Sequence, residues 1–170
     1  MTPSRRKSRG ESPANSVLAA LPRNAYLALL PGLAPVTLVY GEVLYEPGAT
    51  IPEVYFPGRS VVSLLTVVDD HAALEVGLVG REGMVGIPLA LGMDVSPVRA
   101  LVQGAGSALQ MSAARFRREF SASPPLQRGL HRYAHELMAQ VTQTAACNRF
   151  HRVEARLARW LLMTRDRVRS

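Results

Sequence analysis

Between Val36 and Met111 no hydrophobic run lasts long. Thr37–Tyr40, Val43–Tyr45, Val54–Phe56, Val61–Val68, Leu74–Val79, Val98–Gln103 and Ala108–Met111 form short β-rich runs. Turn signals part them at Gly41-Glu42, Pro47-Gly48, Pro57-Gly58, Asp69-Asp70, Gly80 to Gly83 and Gly104 to Gly106. Many short strands with Gly/Pro punctuation fold as a sandwich or jelly-roll barrel.

Helical patterns flank this region. Leu18, Leu21, Leu27 and Leu30 have helical spacing, with Pro22 early, which predicts one or two short helices ended by Pro31-Gly32. Ser112 is placed to cap a helix over Ala113 to Phe120, and Ser121 to Pro125 interrupts it. A long helix is then predicted from about Leu126 to Ala146. Leu126, Leu130, Tyr133, Leu137, Gln140, Thr144 and Cys147 alternate steps of four and three, the period of a two-helix seam. The seam can face the barrel or a second copy of the helix.

The run Cys147 to Val168 reads as a further helix. Val153, Leu157, Trp160, Leu161 and Thr164 fall on one side, and Arg149, Arg152, Arg156 and Arg159 on another. Such a helix is expected to pack on protein through its apolar stripe while its arginines face an anion.

Charge agrees with that division. Residues 1–114 hold 8 basic against 9 acidic residues, net −1, and residues 115–170 hold 12 against 4, net +8. A neutral body with a basic helical end suits nucleic acid, an anionic surface or an acidic partner. The single cysteine, Cys147, excludes an internal disulfide and any cysteine-only cluster within one chain. No stretch approaches the roughly 20 apolar residues of a membrane span, and no secretory signal follows the basic N-terminal residues. A cytoplasmic protein with no membrane attachment is expected.

The segments GEVLYEPG (41–48), VYFPGRSVVSLL (54–65), GREGMVGIPLALG (80–92) and CNRFHRVEARLARWLLMTRDRV (147–168) resemble bacterial Crp–Fnr family transcription regulators. The resemblance covers roughly residues 17–168, with Ser60 standing where many relatives have a turn glycine. It implies an α+β architecture: a cyclic-nucleotide-binding-like double-stranded β-helix, or jelly roll, flanked by short helices. A long C-terminal dimerisation helix and one further helix follow. The implied division is a disordered basic tail (1–15), a sensor β-roll (16–124), a dimerisation helix (125–148) and the first helix of a truncated DNA-binding domain (149–170). In the family a helix-turn-helix follows this last helix, whereas this sequence ends at Ser170. The implied partners are a second copy and, through heterodimers, full-length relatives. DNA is bound by family members, but only weak nonspecific binding is expected of this chain.

Candidate sites follow from both readings. The resembled effector turn falls on Val85, Gly86 and Ile87, with Arg99 the nearest candidate for a phosphate. Ile87 replaces the carboxylate, and the Arg-Ser/Thr pair falls on Ser96-Pro97, so loss of cyclic-nucleotide binding is expected. The expected dimer interface is Leu126, Leu130, Tyr133, Leu137, Val141 and Thr144. Arg149, Arg152, Arg156 and Arg159 are the candidate phosphate contacts. His131 and His135 beside Glu136 have metal-ligand spacing but no evident further ligands, and no metal or cofactor is expected. A cupin-type enzyme needs histidines on barrel strands, and the β-rich region supplies only His71. With no nucleophile elbow or phosphate loop, a non-enzymatic regulator is expected. The competing reading is a stand-alone small-molecule-binding β-roll that acts by protein–protein contact.

Overall fold

The computed structural model describes residues 13–69 and 72–168, with only the backbone described at 69 and 168. The N-terminal arginines, Asp70 and His71 lie outside the described residues. Seven strands are present: β1 Ala34–Leu38, β2 Val43–Tyr45, β3 Glu53–Pro57, β4 Val61–Asp69, β5 Ala72–Val79, β6 Arg99–Gly104 and β7 Gly106–Ser112. They pair antiparallel as two sheets, β1-β7-β3 and β2-β6-β4-β5. This is the expected roll, and each predicted run falls on one of its strands. Val54, Phe56, Val62, Val79, Ala100, Val102 and Met111 fill its core. At roughly 1.5–3 kcal/mol for each large side chain, this burial is the main force closing the roll.

Helices α1 (Ser16–Ala19) and α2 (Arg23–Leu29) precede the sheets, and a 3-10 turn follows over Leu30–Gly32. The expected tail boundary at residue 15 is corrected. Asn15 is buried, its side chain accepts from Val17 N and Leu18 N, and its amide donates to the carbonyls of Pro57 (3.0 Å) and Gly83 (2.8 Å). An amide that caps a helix and bridges two turns belongs to the fold. Ser60 needs no left-handed backbone. It is buried, and its hydroxyl donates to Ser107 O at 3.2 Å.

Helix α3 (Ala113–Ala122) is capped by Ser112, as predicted. Helix α4 runs Pro124–Phe150, longer than expected, with Ser123 as its cap and prolines at its start, where their missing N–H groups cost nothing. The predicted single helix from Cys147 to Val168 is corrected. His151 is extended (φ −101°, ψ 146°) and a new helix, α5, spans Val153–Val168. Neither Gly nor Pro marks this break. Its cause is tertiary: α5 turns back along α4 onto the roll.

Candidate functional site

Three places bear on function: the resembled effector turn, the long helix, and the clefts under α5. At the first, Val85 is buried and pairs with Tyr55 through two backbone hydrogen bonds, 2.8 and 3.1 Å. Gly86 has φ +101°, and a Cβ there would meet Val54 Cγ1 at 3.0 Å and the Tyr45 hydroxyl at 3.2 Å. Glycine is thus required for both conformation and space. Ile87 opens a 3-10 helix ending at Leu91.

Arg99 does not join them. Its Nε donates to Glu46 Oε2 at 2.8 Å, with both side chains partly exposed. Ser96 is buried and bonds locally, its hydroxyl donating to Val98 O at 2.7 Å. The expectation that Arg99 serves this turn is therefore corrected: at the start of β6 it is engaged by Glu46.

A tyrosine network that the sequence did not announce lies beside Gly86. Tyr45 and Tyr55 have ring centroids 6.3 Å apart. The Tyr45 hydroxyl donates to Glu53 O at 3.1 Å, and the Tyr55 hydroxyl to Glu53 Oε2 at 3.0 Å. Gln110 also donates to this carboxylate. Burial, above all, pushes both tyrosine hydroxyls above their ordinary range, and the nearby Glu53 adds to it. Both stay neutral donors at physiological pH. Nothing in the spacing of Tyr45, Glu53 and Tyr55 marks them, because the pairing arises only when β2 of one sheet packs against β3 of the other.

On α4 the expected interface is split. Leu126, Leu130, Tyr133 and Leu137 are buried in the core of their own chain. Their seam partner is the roll, so their assignment to a second copy is corrected. Gln140 extends the contact: its side chain bonds both ways with the backbone of Leu78, at 2.7 and 3.2 Å. Val141 is half-buried, and Thr144 accepts from Arg159 Nη1 at 3.0 Å. A neighbouring stripe of α4 is exposed at Met138 (61%) and Ala145 and half-buried at Ala134 and Val141, again spaced by four, three and four. His131 and His135 are exposed, and the His131 ring meets Phe120 edge-on at 5.7 Å.

Helix α5 meets the expectation only in part: Trp160 and Thr164 of its apolar side face inward, but so do two arginines. Arg159 and Arg167 turn inward, Arg159 to Thr144 and Arg167 Nε to Glu82 Oε1 at 2.8 Å. Val153, Leu157 and Leu161 are half or more exposed, Val153 and Leu157 at the rim of a cleft beside the roll. The four candidate phosphate contacts consequently separate. Arg149 ends α4 over the Phe150 ring (5.5 Å), Arg152 lies in the break, Arg156 is exposed on α5, and Arg159 is held inside. On the roll, Glu82 holds Arg167 inward, and Glu75 lies in the same wall as Arg159 and Trp160. Glu75 accepts from Ser63 Oγ at 2.6 Å.

A cleft of about 310 Å³ opens between α5, the end of α4 and β5. Its walls include Glu75, Asn148, Arg156, Leu157, Arg159 and Trp160. A second, of about 360 Å³, lies across Arg159 and Met163 and is walled by Glu82, Tyr133 and Arg167. Among the described residues no three His, Cys, Asp or Glu side chains gather as metal ligands. No helix there is long and apolar enough to cross a membrane.

The sequence matches no protein-family model and no curated protein. Solved structures are similar. CLP, a c-di-GMP-responsive global regulator from Xanthomonas campestris, matches with a TM-score of 0.67 and 19% identity, over 81% of this chain and 70% of that one. A mutant of CooA from Carboxydothermus hydrogenoformans matches at 0.63 and 13%, over 85% and 93%. A regulatory subunit of a cAMP-independent protein kinase A from Trypanosoma brucei matches at 0.60 and 16%, over 71% of this chain but 43% of that one. These neighbours are regulatory proteins. The chain has the cyclic-nucleotide-binding-like β-roll fold seen in Crp–Fnr-type regulators.

Proposed function

We propose that this chain is the sensor and coupling portion of a cytoplasmic Crp–Fnr-like regulator of transcription, without enzymatic activity. The observation that carries this reading is the double role of α4. One stripe, Leu126 to Leu137, belongs to the core of the roll, and the next, Ala134 to Ala145, is partly exposed along the same helix. A change in the roll therefore moves a surface fit for a second helix. Two copies pair along Ala134, Met138, Val141 and Ala145, where small side chains let helices approach and Met fills the gap. The packing of α4 then sets where α5 lies, which is the coupling step. The same surface allows pairing with a full-length relative. Sequence-specific DNA reading is supplied by a helix-turn-helix in such a dimer, and the exposed arginines of this chain add only weak, salt-sensitive phosphate contacts.

A second reading has one observation in its favour. The exposed stripe Val153, Leu157 and Leu161 suits a stand-alone β-roll binder whose output is protein–protein contact. Titrating a labelled promoter fragment in low and moderate salt, with and without a full-length relative, separates the two. The regulatory reading expects a specific shift, or its suppression, that depends on the relative. It fails if the chain neither dimerises nor alters the relative's DNA binding.

A further inference from the structure

We propose that the cleft between α5 and β5 is a binding site for a small organic anion with a flat apolar body, and that its occupant pins α5 to the roll. The proposal is independent of the transcriptional reading. Three observations support it. First, the cleft is a mixed surface: Leu74, Leu157 and Met163 supply apolar wall, and Trp160 a flat ring. At about 310 Å³ it sits at the low end of small-molecule sites, roughly 300–1,000 Å³.

Second, its polar groups are mostly donors. Asn148 Nδ2 is buried with no hydrogen-bond partner among the described residues. A buried orphan donor costs about 1–3 kcal/mol and calls for an acceptor. Arg156 stands exposed in the wall, and Arg159 uses Nη1 on Thr144.

Third, the wall carries two guanidinium groups and one carboxylate, Glu75. That carboxylate already accepts from Ser63, so the local balance favours an anion. Donors at Arg156 and Asn148 fit a carboxylate, sulfonate or phosphate, and Trp160 fits the flat body. An occupant touching β5, the end of α4 and α5 together holds the three in one arrangement.

Trp160 is the only tryptophan of the chain and lies in this wall, so its emission reports on the site directly. The probes are anilinonaphthalene sulfonate, a flat anion, and phenylnaphthylamine, its uncharged counterpart. Expected is saturable, one-to-one quenching of Trp160 by the sulfonate, with the uncharged probe at least tenfold weaker. Arg156→Gln weakens sulfonate binding about tenfold, as expected for losing one charge-assisted bond. Leu162→Ser, outside the cleft, leaves it unchanged. Circular dichroism melts of both variants establish that they are folded. Equal affinity for the two probes, or loss of binding in Leu162→Ser but not in Arg156→Gln, overturns the proposal, because the dye is then merely coating the exposed apolar surface at Leu161 and Leu162, outside the cleft.

Discussion

The ring of Tyr133 occupies the space in which a side chain on residue 83 would stand. Gly83 lies in the turn after β5, and Tyr133 is two turns into the buried stretch of α4. This contact seats the long helix on the roll. Gly83→Ala should therefore push α4 outward and cost about 1–3 kcal/mol, the usual range for overpacking. Urea unfolding measures it. The Tyr133 hydroxyl is itself buried without a partner among the described residues, so Tyr133→Phe should raise stability by about 1 kcal/mol. A large loss in Tyr133→Phe would mean that the hydroxyl has a partner.

Glu75 predicts a pH dependence. Burial holds its carboxyl above the ordinary value of 4.5, against the opposing pull of Ser63, Trp160 and Arg167. The folded chain thus binds this proton more tightly than the unfolded chain. Ionised Glu75 costs stability above the folded pKa; the cost fades as pH falls through that pKa and is gone below 4.5. Glu75→Gln keeps an acceptor for Ser63 but removes the buried charge. It should melt higher than the parent at pH 7, with the gap closing toward pH 4. Thermal melts across that range decide it, and a gap that widens on acidification would refute this account.

Much of the roll was legible because strand patterns and turn residues are local signals. Val43–Tyr45, Val61–Val68 and the Ser112 cap were readable for that reason. What resists reading is which side of a helix faces home. The Leu126–Leu137 stripe has the period of a helix seam, and the seam's partner turned out to be the chain's own roll. Period states that a side is buried, not by what. The arginine and apolar stripes of α5 were likewise both visible. Their orientation depends on distant contacts such as that of Arg167 with Glu82, 85 residues away in sequence, and the break at His151 carries no Gly or Pro.

The ion pair between Arg167 and Glu82 makes α5 a separately releasable element. The Arg167 side chain is 13% exposed, so the pair is sheltered from solvent more than a surface bridge would be. Arg167→Ala should loosen the end of α5 by about 1–2 kcal/mol while the roll keeps its own core. Iodide quenching of Trp160 should rise in this variant, and unfolding of the roll should shift little. Unchanged quenching would show that other contacts hold the helix.

At Gly86 the prediction concerns a ligand that does not bind. The carboxylate of the resembled turn is replaced by Ile87, Arg99 is engaged by Glu46, and the Tyr45 hydroxyl and Val54 stand against Gly86. A cyclic phosphate would enter without a matched cation and would have to displace a buried tyrosine network. Calorimetry with cyclic AMP or cyclic GMP should therefore show no micromolar binding. Saturable heats at micromolar ligand would mean that Tyr45 swings aside and Arg99 leaves Glu46.

Two stripes of α4, about 100° apart, should separate folding from pairing. Leu130 is fully buried in the chain's own core, so Leu130→Ala should cost about 2–5 kcal/mol and lower the melting temperature whatever the oligomeric state. Met138 is 61% exposed between Ala134 and Val141, so Met138→Glu disturbs no core contact. It places like charges face to face wherever two copies of the helix meet. Light scattering at micromolar concentration should find the parent dimeric and Met138→Glu monomeric, with nearly equal melting of the roll. A dimer that survives Met138→Glu would move the interface off this stripe, and a folded monomer in the parent would remove the dimer altogether.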